Sequence, residues 1–299
     1  MAQNESIKTM IEDRAPILID GAMGTLLMGE SKSKGVPAEI LNILSPDVIS
    51  DIHEKYIEAG CDIITTNTFG ANNIKINEEK YNTSIEEIVE KAVICAKNAI
   101  KNGVKDRDVK VALNIGATGQ IVGMMDEDER AEVRKMFARQ VKSGSLAGAD
   151  LILIETMSDI EEIKDAIEMS KKYSDLPVFC TMSFDESGKT FMGVEPKVFA
   201  EIATEMGADA IGANCSLGPM QMRNIIEEIL SNTDKPVIAQ PNAGLPKMEN
   251  GQAVYDMKEE DFARDVCTMI DNGVSIVGGC CGTSPDFIRV LRNYIKKRG

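Results

Sequence analysis

The segment "ADLILIETMSDIEEIKDAIEMSKKYSDLPVFCTMSF", residues 149–184, decides the architecture. Its ends, "ADLILIET" (149–156) and "PVFCTMSF" (177–184), are short apolar runs rich in Ile, Leu, Val and Phe. Runs of that kind suit strands covered on both faces, as in a parallel sheet. Between them, "MSDIEEIKDAIEMSKKY" spaces its apolar residues with a helical period. Strand, helix and second strand make one βαβ crossover.

The same unit recurs in both directions. Further strands are expected at "PILID" (16–20), "DIITTN" (62–67), "VKVALNIG" (109–116), "ADAIGANCS" (208–216), "PVIAQPN" (236–242) and "VSIVGGCC" (274–281), which makes eight. Helical segments such as "PDVISDIHEKYIEAG" separate them, and several close on Gly just before the next strand, the usual C-cap position. The last helix opens with Ser284 as N-cap and Pro285 at its first position. Eight strand–helix units predict an α/β fold, a (β/α)8 TIM barrel forming a single domain over 16–299, with residues 1–15 as an N-terminal arm or helix. The stretch 243–258, "AGLPKMENGQAVYDMK", is long for a βα loop and is expected to cover the barrel mouth.

Composition narrows the function. A net charge of −15 argues against nucleic acid and anionic membrane surfaces as partners. The polar start "MAQNESIKTMIEDRAPILID" has no signal-peptide pattern, and no apolar stretch reaches the ~18 residues of a membrane span. Seven cysteines without a secretory signal point to a reducing cytoplasm and to thiols rather than bridges. One histidine, His53, is expected on an exposed helix face, so a His-rich zinc site is excluded and any metal must use Cys, Asp, Glu or Asn.

In such barrels function gathers at the C-terminal ends of the strands. Those ends read Asp20, Asn67, Glu155, Ser183, Cys215, Asn242, Cys280 and Cys281. The fold would therefore bring Cys215 to the same rim as the adjacent pair Cys280 and Cys281, although no local CxxC motif is present. Three thiolates supply three ligands of tetrahedral zinc, and a substrate thiol in the fourth position would lose its proton near neutral pH. The bland alternative is buried core cysteine, the reading given to Cys61, Cys95, Cys180 and Cys267. A vicinal redox pair is a third alternative, but it gives no role to Cys215.

Five motifs carry a resemblance: "DGAMGT" (20–25), "TNTFGAN" (66–72), "IGANCSLGP" (211–219), "PNAGLP" (241–246) and "GGCCGT" (278–283). Over 16–295 the chain resembles the homocysteine S-methyltransferase family, and within it the homocysteine-binding barrel of cobalamin-dependent methionine synthase. The resemblance implies a cytoplasmic zinc enzyme in which Cys215, Cys280 and Cys281 bind the metal and homocysteine sulfur becomes the fourth ligand, to be methylated to methionine. It also implies that Asp20 and Glu155 hold the substrate amino group and that Asn242 offers an oxygen near zinc. Asn67 and Thr68 are expected to line the pocket, with Asn67 equally readable as a backbone brace. Met124 and Met125, in the loop after the third strand, are expected to pack rather than react.

No cobalamin-binding signature is present, since His53 is followed by "EKYIEAG". The expected donor is therefore a methyl-corrinoid (cobalamin) on a separate protein, docking transiently on the loops at 21–36, 68–80, 117–128 and 243–258. The alternatives are a small onium donor, S-methylmethionine or betaine, another acceptor thiol in a catabolic methyl-transfer system, or a non-catalytic homocysteine- or zinc-binding subunit.

Overall fold

Alternation along each strand sorts the apolar residues of the chain into two layers. In this computed structural model, which describes residues 2–14, 16–28, 35–103, 107–249 and 252–298, eight strands form one parallel sheet. They are β1 (Ile17–Leu18), β2 (Ile63–Thr65), β3 (Lys110–Gly116), β4 (Leu151–Met157), β5 (Val178–Met182), β6 (Ala210–Asn214), β7 (Val237–Gln240) and β10 (Ile276–Val277). The order β1-β10-β7-β6-β5-β4-β3-β2 closes on itself through a parallel bridge from Ile19 to Ile63. Asp62 N donates to Leu18 O (2.6 Å) and Asp20 N to Ile63 O (3.1 Å) along the same seam.

One layer points inward. Ile17, Ile19, Ile63, Ala112, Leu151, Leu153, Phe179, Ala210, Ile238 and Ile276 pack on each other inside the barrel. Helix α1 (Ala2–Arg14) plugs the bottom of this stack with Ile7 and Met10. The other layer points outward: Leu18, Ile64, Leu113, Ile154, Cys180, Ala239 and Val277 join the core under the surrounding helices. Those helices are α4 (Pro46–Ala59), α6 (Ile85–Asn102), α7 (Glu127–Ala147), α8 (Ile160–Tyr173), α9 (Pro196–Glu205), α10 (Pro219–Leu230), α11 (Glu259–Asp271) and α12 (Pro285–Lys296). Both faces of each strand are thus dry, which is why the strand sequences run apolar without an exposed polar phase.

Local chemistry sets the ends of these elements. Asp126 and Glu129 form a reciprocal capping box on α7, and Ser284 caps α12 by accepting from Asp286 N. Gly60 ends α4 at φ 107°, where a side chain would be strained. Gly212 on β6 is demanded by space instead, since a Cβ there would lie 1.9 Å from Ile238 O.

Three expectations change. The loop after β7 holds a small antiparallel hairpin, β8 (Lys247–Glu249) with β9 (Gln252–Val254), that the sequence reading left as loop. His53 is buried on α4, not exposed, and neither ring nitrogen has a hydrogen-bond partner among the described residues. Met124 is 80% exposed and does not pack, whereas Met125 does pack against the core. The four cysteines expected in the core, Cys61, Cys95, Cys180 and Cys267, are buried there. Among the described residues, no helix is long and apolar enough to cross a membrane.

Candidate metal and substrate site

Two residues further along the inward face, or four on β6, toward the C-terminal ends, the barrel lining turns polar. Thr65, Asn114, Glu155, Thr181, Asn214 and Gln240 follow the inward positions of β2 to β7. A buried polar layer is costly unless its groups pair with each other or with a ligand. Most of these groups do pair. Asp20, just beyond β1 and 3% exposed, accepts from Thr65 N at 2.8 Å and Thr65 Oγ1 at 3.0 Å. Glu155 accepts from Asn114 Nδ2 at 2.7 Å and Asn214 Nδ2 at 3.2 Å.

Among the described residues, neither acid has a cation beside it. Burial pushes the pKa of Asp20 up to about 8 against the bonds from Thr65, and the charge of Glu155 adds to the rise. Burial pushes Glu155 up to about 7, with Asn114 opposing and the Cys281 charge adding. Two acids held near neutrality in one cavity await a positive charge; an ammonium bound between them would restore both to the ionised form.

Glu155 continues the inward alternation of Leu151 and Leu153, and β4 turns irregular directly after it. Its register with β5 shifts between Ile154 and Met157, and Thr156 takes φ 60°. A left-handed conformation costs a non-glycine residue about 1–2 kcal/mol, and a β-branched one is a genuine outlier there. Asn214 holds it: its Oδ1 accepts from Thr156 N (2.9 Å) and Thr181 Oγ1 (2.8 Å), and its Nδ2 donates to Thr156 Oγ1 (2.8 Å).

The thiols stand on two loops next to this layer. Cys215 follows β6 directly, while Cys280 and Cys281 follow β10. Their sulfurs all lie within 4.8 Å of one another, a set that could hold a metal ion, and Cys215 Sγ is 3.8 Å from Cys281 Sγ. Cys215 and Ser216 both sit at positive φ, 62° and 57°. Cys215 N donates to Gln240 O (3.1 Å), Leu217 N to Cys215 O (2.6 Å), and the hydroxyls of Ser216 and Ser183 meet at 2.6 Å. On the other loop Cys280 N donates to Pro241 O (2.9 Å), Ala243 N to Cys281 O (2.9 Å), and Thr283 Oγ1 to Cys280 O (2.7 Å). Strained backbone held by neighbours on both sides is a preorganised site. Within the trio, hydrogen bonds from Cys215 and Cys280 hold the Cys281 thiol far below its usual pKa, and bonding to Cys215 and then to Cys281, with burial, pushes Cys280 up.

Tyr255, beyond the hairpin, lies against this loop, where a Cβ on Gly282 would come within 2.4 Å of its ring. A hydrogen bond to Cys281 links the phenol to the cluster and lowers the pKa of that thiol further.

These groups share a cavity of about 300 Å³ at the barrel mouth, lined by Asp20, Glu155, Cys215, Cys280, Cys281 and Phe69 among others. Asn67 is on its wall and is also a brace: its Nδ2 donates to Ala38 O (2.8 Å) and Asn42 Oδ1 (3.1 Å). Thr68 lies behind the wall, fully buried, and donates to Asn114 O at 2.6 Å. Asn242 sits between the two cysteine loops, its N donating to Leu217 O (2.8 Å), with its buried Oδ1 unpartnered among the described residues. A larger cavity, about 670 Å³, lies at the opposite end beside α1, but its acids Glu12, Asp209 and Asp234 are exposed and no thiol lines it. Size therefore does not pick out the reactive end.

The sequence reading did not single out Thr65, Asn114, Asn214 or Tyr255. The first three carry a signal, since each stands an even number of residues beyond an inward apolar residue of its own strand. Tyr255 carries none.

A family profile described as homocysteine S-methyltransferase matches residues 17–295. "Methionine synthase" of Mycobacterium leprae (strain TN) is 30% identical over 282 residues, covering 90% of this chain and 23% of that protein. "Methionine synthase" of Mycobacterium tuberculosis (strain ATCC 25618 / H37Rv) is 32% identical over 283 residues, covering 90% and 24%. The chain thus spans about a quarter of the length of these curated relatives. The metallated homocysteine methyltransferase MmuM from Escherichia coli superposes with a TM-score of 0.81 at 19% identity, covering 96% of this chain and 99% of that one, a likeness of fold.

Proposed function

The chain belongs to the homocysteine S-methyltransferase family, and from that premise we propose that it methylates the sulfur of homocysteine to give methionine, with zinc held by Cys215, Cys280 and Cys281. One observation carries this reading: three mutually close thiols open into the same cavity as two buried acids that have no cation beside them among the described residues. The donor set fits the ion. Three soft sulfurs suit zinc rather than magnesium or calcium, and the orphaned Oδ1 of Asn242 between the two loops offers a weak, exchangeable oxygen. Bound there, zinc would keep a fourth sulfur ionised near neutral pH.

The chain's own residues do the rest. Asp20 and Glu155 take the α-ammonium, which orients the substrate with its sulfur toward the thiols. Thr65 and Asn114 keep the two carboxylates in place. Phe69 and the wall braced by Asn67 and Asn42 limit access of water to the bound sulfur. The substrate sulfur then forms a bond to the methyl carbon as the bond to the donor breaks, the electron pair leaving with the donor. Unpaired thiols throughout the chain suit a reducing, cytoplasmic setting.

For the donor we favour a methyl-corrinoid carried by a separate protein. The support is the motif likeness to the cobalamin-dependent branch, together with exposed apolar residues on the loops after the strands: Met28, Met124, Phe191 and Met248. The test is to incubate the zinc-loaded protein with homocysteine and, in turn, methylcobalamin, a methyl-corrinoid protein, S-methylmethionine and betaine, measuring methionine. Turnover only with an onium donor would overturn the corrinoid assignment. Binding of homocysteine without turnover with any donor would favour a non-catalytic subunit.

A further inference from the structure

The residue before the first cysteine does more than join a strand to a loop. Asn214 is fully buried, and both ends of its amide are engaged. Its oxygen accepts from Thr156 N and Thr181 Oγ1, and its nitrogen donates to Thr156 Oγ1 and Glu155 Oε2. The same nitrogen is 4.0 Å from Cys280 Sγ. One side chain thus touches the acid proposed to read the substrate ammonium, the strained residue that follows that acid, and a thiol of the proposed metal set. We infer that Asn214 is a positioning residue that fixes Glu155 relative to the thiols, by its own bond to that carboxylate and by clamping the adjoining Thr156 in its left-handed conformation. This rests on the function proposed above.

The strand β4 bulges directly after Glu155. Regular β geometry at Thr156 would remove the register shift between Ile154 and Met157 and turn the following side chains to the opposite faces. Threonine resists positive φ by itself, so the bulge needs an outside restraint, and Asn214 supplies bonds to both the backbone and the side chain of that residue. Because Cys215 is the next residue in the chain, and itself at positive φ, the clamp and the thiol loop share one backbone.

The test reads homocysteine affinity by calorimetry and zinc content by elemental analysis on the same zinc-loaded samples. Asn214→Ala is expected to weaken homocysteine binding at least tenfold while zinc stoichiometry stays at the wild-type value. Adding Thr156→Gly, which needs no clamp to hold positive φ, is expected to recover at least threefold of that loss. Should Asn214→Ala fail to fold, two single variants carry the same question. Thr156→Val keeps the strain and loses the hydroxyl bonded to Asn214, whereas Thr156→Gly removes more atoms and the strain with them. The inference expects Thr156→Val to lose more affinity than Thr156→Gly, the reverse of an order set by truncated volume. Equal affinity in Asn214→Ala, parallel loss of zinc, or a further loss on adding Thr156→Gly would overturn it. A wild-type protein that binds zinc but not homocysteine would instead overturn the function on which it rests.

Discussion

The two ends of the same eight strands solve opposite problems. At the N-terminal end the inward side chains are Ile, Leu, Ala and Phe, sealed by Ile7 and Met10 of α1. Those side chains bury one another, and the cavity beside α1 holds no thiol and only exposed acids. At the C-terminal end, the same inward positions carry Thr, Asn, Glu and Gln, beside strained cysteine loops and a cavity. Among the described residues its groups are satisfied only in part: two acids lack a cation, and Asn242 Oδ1, Asn114 Oδ1 and Gln240 Oε1 lack partners. The change takes one or two steps of the strand period. The lesson is that the bottom of this barrel spends its burial on stability, whereas the top leaves polar valences open for a ligand.

The sharpest way to break that contrast is at the thiols. Cys280→Ala is expected to abolish zinc binding and lower methyl transfer by about a thousandfold or more, roughly 4 kcal/mol of barrier. The fold should persist, because the eight strands do not depend on the cluster. Elemental analysis, a methionine assay and circular dichroism check the three parts, and chelation of the wild-type protein should reproduce the loss. A fully active zinc-free variant would remove the case for the metal.

The counterpart at the bottom is Phe179→Ala. Phe179 is fully buried inside the barrel, and deleting such a ring costs about 3–5 kcal/mol of stability. The comparison expects a lower midpoint in denaturant with wild-type zinc content and homocysteine affinity in the molecules that remain folded. Loss of both together would mean that the two ends are not separable.

Asp20→Asn probes the open valences more gently. The amide keeps the shape and can still accept from Thr65, but it cannot ionise. Removing one charge-assisted bond to an ammonium should raise the KM for homocysteine by about 10- to 100-fold, given roughly 1.5–3 kcal/mol for such a bond. Zinc content should not change, which titration and steady-state kinetics would show.

Much of this layout is legible in the sequence, because it rests on period and punctuation. Each of the eight apolar runs overlaps an observed strand, and strand ends supply Asp20, Glu155, Cys215 and the Cys280–Cys281 pair. What escapes depends on contacts between distant segments. Thr68 reads as a pocket residue from its place at a strand end, yet a hydrogen bond to β3 turns it behind the wall. The bulge at Thr156 has no mark of its own, since "LILIET" looks like any buried strand, and its partner Asn214 lies 58 residues away. The hairpin of β8 and β9 is an exception, since its two strands are close in sequence.

His53 sharpens the comparison from a third place, and its misreading is instructive. On α4 the buried residues Ile49, Ile52, His53, Tyr56 and Ile57 form one helical stripe. The period therefore places His53 inside, although its residue type suggests a surface. Like some groups at the barrel mouth it is buried and unpartnered among the described residues, but it lines neither of the two cavities described above, so it reads as a cost rather than a site. Burial lowers its pKa from 6.5 to about 4. A histidine held neutral in the fold contributes fully above its unfolded pKa, and stability falls as pH drops from about 6.5 through 4, because the unfolded chain takes up a proton that the folded chain resists. Linkage over that interval gives a loss of about 2 kcal/mol between pH 7 and 5. His53→Leu, of suitable bulk for an apolar stripe, is expected to flatten that slope and to raise stability at pH 5 by a similar amount, with homocysteine binding unchanged at pH 7. Denaturant titrations at both pH values measure it. An unchanged pH slope in His53→Leu would show that the acid sensitivity of the fold resides elsewhere.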